Sequence, residues 1–239
     1  MSCVWNPWHG CKKISEGCRH CYVYRIDGKH GRDPSEVTLN KDFDLPVKRK
    51  RNGEYKISEG DTVYTCFSSD FLLDTADEWR GEAWKCMYER RDLNFIFLTK
   101  RIHRLEACLP ENWGDGYDNV SIGCTCENQQ MADFRLPIFM SLPVKHRIVI
   151  SEPLLGEIDF TGLVDKRVEQ IVVGGESGEE ARVCDFEWVR KIHSFCLENN
   201  ISFSFKQTGA NFKKDGKIYS IPRKYQFEQA KRAGLDFEF

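Results

Sequence analysis

The sequence lacks several features that would place it in a broad class of protein. No apolar run approaches the length of about 18 residues that a membrane-spanning helix needs. The N-terminus has Trp5, Pro7 and His9 where a secretory signal would need an apolar core. The formal net charge is only −2, which gives no reason to expect a long nucleic-acid duplex as a partner, and no nucleic-acid partner is expected for the whole chain. These absences predict a cytoplasmic globular protein without membrane association.

Cysteine, by contrast, is abundant, with 11 residues. The odd number argues against a secreted disulfide framework. In a reducing cytosol such thiols are expected to be metal ligands or small buried hydrophobes. Packing is the expectation for Cys66, Cys86, Cys108, Cys124, Cys126 and Cys196.

A group of three cysteines near the start of the chain is different. The segment WNPWHGCKKISEGCRHCY contains Cys11, Cys18 and Cys21. Fe–S clusters are normally held by four thiolates, and no fourth cysteine is near, so a cluster here would keep one iron open for a bound molecule. A structural zinc is the alternative, because histidines that could supply a fourth ligand are available. These are His9, His20 and His30. A third possibility is that the thiols bind no metal.

Seven short β-branched or aromatic runs predict strands that are buried on both faces. They are Ser2–Trp5, Thr62–Phe67, Asn94–Leu98, Asn119–Gly123, Arg147–Ser151, Gln170–Val173 and Ile201–Phe205. Amphipathic stretches lie between them. A capping box at Thr75–Glu78 is expected to open one helix, and another is expected to end at Asn199–Asn200. This alternation predicts an α/β fold with a parallel sheet, closed or partly closed as a barrel.

The chain is predicted to form one domain that spans 1–239. Two of its segments do not fit the alternation of strands and helices. Residues 31–60 are polar and are predicted to form an insertion after the first helix, as a lid or a surface excursion. Residues 210–239 form a C-terminal extension with a turn signal at Asp215–Gly216. The extension is expected to pack against the barrel.

Polar residues follow each predicted strand, among them Ser68, Ser69, Asp70, Lys100, Glu127, Asn128, Glu152, Glu176, Lys206 and Gln207. In an α/β barrel the carboxyl ends of the strands converge on one mouth, where active sites lie. The pattern therefore predicts an enzyme. Lys206 ends an apolar strand, and because lysine is rarely buried unpaired, it is expected to face the cavity or to pair with a glutamate.

Seven ordered blocks resemble the phage-type radical S-adenosylmethionine (SAM) family, from Trp5 to Gly209. The blocks are WNPWHGC–x6–C–x2–CY, SSDF, FLTKR, IGCTCENQ, SEPLLG, VVGGESG and FSFKQTG. The resemblance implies a partial (β/α)6 barrel and a [4Fe–4S] cluster on Cys11, Cys18 and Cys21. It also implies that SAM chelates the open iron, and that an electron donor of the flavodoxin or ferredoxin type is a partner.

Within this family, the chain resembles a short-chain subgroup that looks like queuine lyase. The expected activity is therefore reductive cleavage of SAM and breakdown of a small deazapurine, queuine, to 7-aminomethyl-7-deazaguanine. Radical modification of a nucleic acid or a peptide is one alternative. A redox or sensory Fe–S protein that binds SAM without turnover is another. No catalytic residue is assigned.

Strand-end position and charge suggest roles for the polar residues. Residues expected to bind SAM are Ser68, Ser69 and Asp70 at the amino group, Lys100 at the carboxylate, and Glu127 and Asn128 at the ribose. Residues expected to bind the base are Trp5, Asn6, Trp8, Glu152, Glu176, Lys206 and Gln207. A carboxylate suits the donor edge of a deazaguanine because it only accepts hydrogen bonds. Alternatively, the glutamates pair with Lys206 purely to hold the barrel together.

Overall fold

Each of the seven apolar runs forms a strand in the computed structural model, which describes residues 1–239. The seven strands lie in one sheet, and every neighbouring pair with a described register runs parallel. The predicted α/β fold with a parallel sheet is therefore confirmed. The order of the strands does not close on itself, as in a partial barrel, although there are seven strands where the resemblance implied six. Contacts divide the chain into two compact units, and the single domain over 1–239 remains a prediction.

The first unit comprises residues 1–13, 23–123 and 142–146. Its elements are β1 (Ser2–Trp5), β2 (Trp8–His9), α1 (Tyr22–Lys29), β3 (Thr38–Leu39), β4 (Thr62–Thr65), α2 (Asp77–Glu89), β5 (Asn94–Thr99), α3 (Leu105–Cys108) and β6 (Val120–Thr125). Three 3-10 turns lie at Leu45–Val47, Asp74–Ala76 and Ile102–Arg104. No helix of the protein is both long enough and apolar enough to span a membrane.

The core of this unit is aromatic. The Trp8 ring stacks on Phe71 with 5.4 Å between centroids, and Phe71 lies 4.9 Å from Trp84 and 4.7 Å from Phe97. All four side chains are buried. Such rings contribute large apolar areas and pack in offset or edge-on arrangements, so this cluster fixes α2 against β5.

The 31–60 insertion packs on the first unit through buried hydrogen bonds. Arg90 is 1% exposed, and its guanidinium donates to the carbonyl oxygens of Pro46 and Ile57. Trp5 Nε1 donates to Phe43 O at 2.9 Å. Because these donors come from the core of the unit, the insertion is anchored at several points along its length. Its proposed action as a lid remains a prediction.

The second unit comprises residues 14–22, 124–141 and 147–239. Its elements are α4 (Gln129–Ser141), β7 (His146–Ser151), β8 (Val168–Gly174), β9 (Val183–Asp185), α5 (Phe186–Asn199), β10 (Ser202–Gln207), β11 (Asn211–Lys214), β12 (Lys217–Ser220) and α6 (Gln226–Arg232). 3-10 turns lie at Glu16–Cys18 and Arg223–Tyr225. The order of the main sheet is β1-β4-β5-β6-β7-β8-β10, and β12-β11-β9 form a second sheet.

The C-terminal extension packs against the second unit, as predicted. Asp215 and Gly216 both have positive φ, at 50° and 73°, and form the turn between β11 and β12. Phe237 pairs with Phe203 of β10 through two backbone hydrogen bonds and stacks on its ring. The extension therefore covers the edge of β10.

Two predictions about helix ends have opposite outcomes. The α5 helix ends as predicted, since Asn200 adopts the left-handed conformation with φ of 53°. The capping box at Thr75–Glu78 is wrong: α2 begins at Asp77, and Ala76 occupies the N-cap without a side-chain bond. The side chain of Asp74 accepts the Thr75 amide and hydroxyl instead, which places Thr75 in a 3-10 turn before the helix.

Candidate functional site

The cysteines separate into two classes by burial. Cys3, Cys11, Cys18 and Cys21 are partly exposed, whereas the other seven are buried and none forms a disulfide. The core packing expected for Cys66, Cys86, Cys108, Cys124, Cys126 and Cys196 is therefore confirmed. Burial raises the pKa of Cys196 to about 12, so such thiols stay protonated. Burial and the charge of Asp61 also raise the pKa of Cys3.

In the first unit the backbone around Cys11 is fixed on both sides. The Cys11 amide donates to Pro34 O at 2.8 Å, and the Tyr24 hydroxyl donates to Cys11 O at 2.5 Å. Gly10 precedes it with φ of +93°, a conformation that favours glycine, and a Cβ there would collide with the Glu36 carbonyl. The position of this cysteine is thus set by main-chain geometry as well as by its side chain.

Two of the predicted SAM residues hold this same loop. The Ser68 amide donates to Asn6 Oδ1 at 3.0 Å, and the Ser68 hydroxyl donates to Trp8 O at 3.3 Å. The Ser69 hydroxyl donates to Gly10 O. Ser68, Ser69 and Asn6 therefore connect the end of β4 to the segment that leads into Cys11.

Asp70 lies behind this loop and is 5% exposed. Its carboxylate accepts from the Thr99 hydroxyl at 2.7 Å and from the Lys100 amide at 3.0 Å. It also forms a buried ion pair with Arg101, whose Nη1 is 3.2 Å from Oδ2. The same guanidinium lies 3.9 Å from Cys11 Sγ and donates to Lys12 O at 2.5 Å. Asp70 therefore orients a cation toward a candidate ligand, a role that the strand-end argument did not assign to Arg101.

Trp5 and Trp8 do not offer the open faces that base stacking requires. They are 1% and 0% exposed. Trp5 packs edge-on against Phe95, and Trp8 stacks on Phe71 and donates from Nε1 to Asp70 O. The predicted stacking role is corrected to a core role, because the rings satisfy both their apolar area and their N–H groups inside the unit.

In the second unit Cys18 and Cys21 lie on a tight turn. Cys18 N donates to Ser15 O at 2.9 Å, and Cys21 N donates to Cys18 O at 3.4 Å. The turn is tied to Glu127, which follows β6 and is fully buried. Glu127 Oε1 accepts from the Ser15 hydroxyl and, at 3.2 Å, from the Gly17 amide.

The other carboxylate oxygen of Glu127 pairs with Arg135. Arg135 Nη1 lies 2.7 Å from Glu127 Oε2 and also donates to Thr125 O at 2.6 Å. Burying a carboxylate is costly unless it is paired and hydrogen-bonded, and its contacts with Ser15, Gly17 and Arg135 meet that condition. The predicted bond from Glu127 to ribose remains a prediction, and it would share the carboxylate with these three contacts. Asn128 caps α4 by accepting the Met131 amide at 3.0 Å.

Glu176 supports the same turn from a second side. Arg182 donates to both of its carboxylate oxygens, at 2.6 and 2.9 Å, and His20 Nδ1 lies 3.2 Å from Oε2. Arg182 also donates to Glu16 O at 3.0 Å. Burial acts to raise the pKa of Glu176, but the Arg182 hydrogen bonds outweigh it and leave the pKa below its ordinary value. As with Glu127, the carboxylate is used within the protein.

Glu152 is the third carboxylate. It follows the end of β7 and contacts two residues at the end of β10. Lys206 Nζ lies 2.9 Å from Oε2, and Gln207 Nε2 donates to Oε1. The predicted pairing of Lys206 with a glutamate is therefore confirmed. Gly174 ends β8 between these strands, and a Cβ there would lie 3.0 Å from the Glu152 carboxyl carbon. Gln207 Oε1 is buried without a hydrogen-bond partner, so this cluster has an unused acceptor.

Several residues of these networks were not predicted, namely Ser15, Gly17, Arg101, Arg135 and Arg182. Arg101 is the one with a sequence signal, since it directly follows a predicted strand. The others lie in a loop or a helix, and their partners are six to 112 residues away. Spacing alone gives no way to select such pairs.

Thiols such as Cys11, Cys18 and Cys21 are of the chemical type that binds Fe–S clusters or zinc. Cys11, Cys18 and Cys21 form no disulfide and are partly exposed. In neither unit do three or more His, Cys, Asp or Glu side chains already form a metal-binding group. A soft thiolate set of this kind suits Fe–S or zinc rather than magnesium or calcium.

Comparison with known proteins places the chain in a family. The model of a family described as a protein of unknown function, DUF5131, matches residues 1–236. No curated protein and no solved structure matches the chain. Because the family match covers nearly the whole sequence, the chain belongs to the DUF5131 family.

Proposed function

We propose that this protein is a radical SAM enzyme that breaks down a small deazapurine, with queuine converted to 7-aminomethyl-7-deazaguanine. Cys11, Cys18 and Cys21 would hold a [4Fe–4S] cluster whose remaining iron is left for SAM. When bound, such a cluster supplies the electron that cleaves the sulfonium of SAM. The observation that carries the proposal is the contrast between these three accessible thiols and the seven buried ones.

The surroundings of the thiols support this assignment. Arg101 places a cation 3.9 Å from Cys11 Sγ, and positive groups favour the thiolate form that binds metal. Glu127 and Glu176 restrain the turn that carries Cys18 and Cys21. A loop that merely connected strands would not need two buried carboxylates to hold it.

For the substrate, the cluster of Glu152, Lys206 and Gln207 supports a deazaguanine. The polar edge of a deazaguanine has N1–H and an exocyclic amine as donors beside a carbonyl acceptor. The Glu152 carboxylate and the unused Gln207 Oε1 are acceptors, and Lys206 Nζ is a donor. Lys100 and Asn128 remain the proposed contacts for the SAM carboxylate and ribose, while Asp70 acts through Arg101.

Anaerobic reconstitution tests the cluster. We expect about four irons per chain and a reduced-cluster EPR signal that shifts when SAM is added. Substituting Cys11, Cys18 or Cys21 with serine should abolish iron binding, whereas Cys3→Ser should not. A colourless protein that contains one zinc would contradict the cluster.

Incubation of the reduced, reconstituted protein with SAM and queuine tests the reaction. Mass spectrometry should detect 5′-deoxyadenosine together with 7-aminomethyl-7-deazaguanine. If 5′-deoxyadenosine forms but queuine remains intact, the radical SAM assignment stands and the substrate is wrong.

A further inference from the structure

Part of the C-terminal extension is basic, although Lys213 within it pairs with Asp185. Residues 211–232, which form β11, β12 and α6, contain two acidic residues, Asp215 and Glu228. The same segment contains the seven cations Lys213, Lys214, Lys217, Arg223, Lys224, Lys231 and Arg232. The whole chain has a net charge of −2, so this segment is more basic than the protein as a whole. Such a patch is suited to a polyanion.

Aromatic side chains are exposed within the same segment. Tyr219 is 45% exposed, Tyr225 is 41% exposed and Phe227 is 46% exposed. All four residues of β12 are exposed, and β12 is the edge strand of its sheet. Single exposed apolar residues are common on protein surfaces, but here three rings accompany seven cations within 22 residues.

The register of the hairpin places rings and cations together on one face. Phe212 pairs with Tyr219, and Lys214 pairs with Lys217. Alternate residues of a strand share a face, so these four side chains lie on the same side of the hairpin. Lys214 Nζ also lies 5.2 Å from the centre of the Phe186 ring.

A cavity of about 250 Å³ opens beside this face. Its lining includes Phe186, Phe205, Phe212, Tyr219, Lys214 and Arg232. Sites for drug-sized ligands are usually larger, at about 300–1,000 Å³, so this one suits a single flat ring. Two cations in the lining suit an anionic group attached to that ring.

We propose that this surface, formed by the β11–β12 hairpin and α6, binds single-stranded nucleic acid. One base occupies the cavity and stacks on Tyr219, while Lys214 and Lys217 contact phosphates and Arg232 exchanges its ion pair with Glu228 for a third phosphate. Stacking on aromatic rings combined with a basic surface is the usual way in which single strands are bound. A duplex would present its bases already stacked and would leave the cavity empty. The proposal does not depend on the Fe–S cluster.

An acidic protein is the competing polyanion. It would use the cations, but it would not account for an aromatic cavity that accepts a flat ring. The observations therefore favour nucleic acid, and the acidic protein becomes an outcome of the test.

Fluorescence anisotropy with a labelled single-stranded RNA of about 12 nucleotides tests the proposal. With about three phosphates contacted, raising KCl from about 50 to 200 mM should weaken binding by about 20-fold. A duplex of the same sequence should bind more weakly. Polyglutamate serves as a competitor for the cations of the surface. AMP serves as a competitor for the cavity.

Substitutions on the surface should change binding in distinct ways. Tyr219→Ala should weaken it about 5- to 150-fold, the usual effect of losing one base stack, whereas Tyr219→Phe should retain it. Lys217→Ala should make the salt dependence of binding shallower, by the amount expected for the loss of about one phosphate contact. Tyr88→Ala and Lys166→Ala remove an exposed ring and an exposed cation elsewhere and should leave binding unchanged. Circular dichroism checks that each variant is folded.

Four results would overturn the proposal. They are absence of RNA binding, equal binding of the duplex, binding that Tyr219→Ala does not change, and displacement by AMP at the concentration at which the RNA itself binds. Displacement by polyglutamate together with normal binding by Tyr219→Ala would indicate an acidic protein instead.

Discussion

The Arg101 guanidinium lies 3.9 Å from Cys11 Sγ while it is held by a buried ion pair with Asp70 at 3.2 Å. Arg101 and Asp70 are both less than one-tenth exposed. An arginine fixed in this way cannot swing into solvent, so its charge acts on Cys11 continuously. The pair links the end of β5 to the first candidate ligand of the cluster.

Arg101→Gln should make Cys11 less reactive, because a nearby cation favours the thiolate. We expect alkylation of Cys11 by iodoacetamide in the metal-free protein to slow severalfold. Rates at Cys18 and Cys21, measured by mass spectrometry, serve as internal references. Arg190→Gln removes an exposed arginine and should have no effect. Equal slowing at all three cysteines would point to a global change instead.

Gly17→Ala should disturb the turn that carries Cys18. The added Cβ would lie 2.9 Å from the Glu127 carboxyl carbon, and overpacking of this kind usually costs about 1–3 kcal/mol. We expect a lower midpoint in urea unfolding and fewer irons per chain after reconstitution. Gly81→Ala is the matched control, because its Cβ would meet no atom within 4 Å. Normal iron content in Gly17→Ala would show that Glu127 does not position the turn.

Glu176→Gln should lower stability at neutral pH but not in acid. The pKa of Glu176 lies below its ordinary value because hydrogen bonds from Arg182 outweigh the effect of burial. A carboxylate with a lowered folded pKa stabilises the protein above its unfolded pKa, and that contribution is lost as the pH falls through the folded value. The difference in melting temperature between wild type and variant should therefore be present at about pH 7, begin to shrink near the unfolded pKa of about 4.3, and disappear below the lower folded pKa. Glu180→Gln, at an exposed position, should show no such difference.

Glu152→Gln should weaken binding of queuine while iron content stays normal. Losing a satisfied carboxylate contact costs about 1.5–3 kcal/mol, or about 10- to 100-fold in affinity. Gly174→Ala should act in the same direction, because its Cβ would displace the Glu152 carboxyl group. Glu157→Gln, which removes an exposed partner of Lys191, is the control. Calorimetry that finds unchanged affinity in both variants would contradict the recognition proposal.

Local sequence determined the elements of this protein. The seven strands follow from β-branched and aromatic runs, but the predicted burial on both faces is wrong for several of them, which alternate buried and partly exposed residues. The turn at Asp215–Gly216 and the end of α5 at Asn200 follow from residues that tolerate positive φ. The burial of cysteines in apolar runs was also predictable, since a thiol there behaves as a small hydrophobe.

Tertiary structure alone decided which polar groups meet. Glu127 and Gly17 are 110 residues apart, and no local pattern distinguishes that pairing from a bond between Glu127 and a ligand. Trp5 and Trp8 lie beside the cysteine segment in sequence, yet both rings turn into the core. The direction of a side chain depends on strand register and on neighbours brought from distant segments, and these are set by the packing of the folded chain.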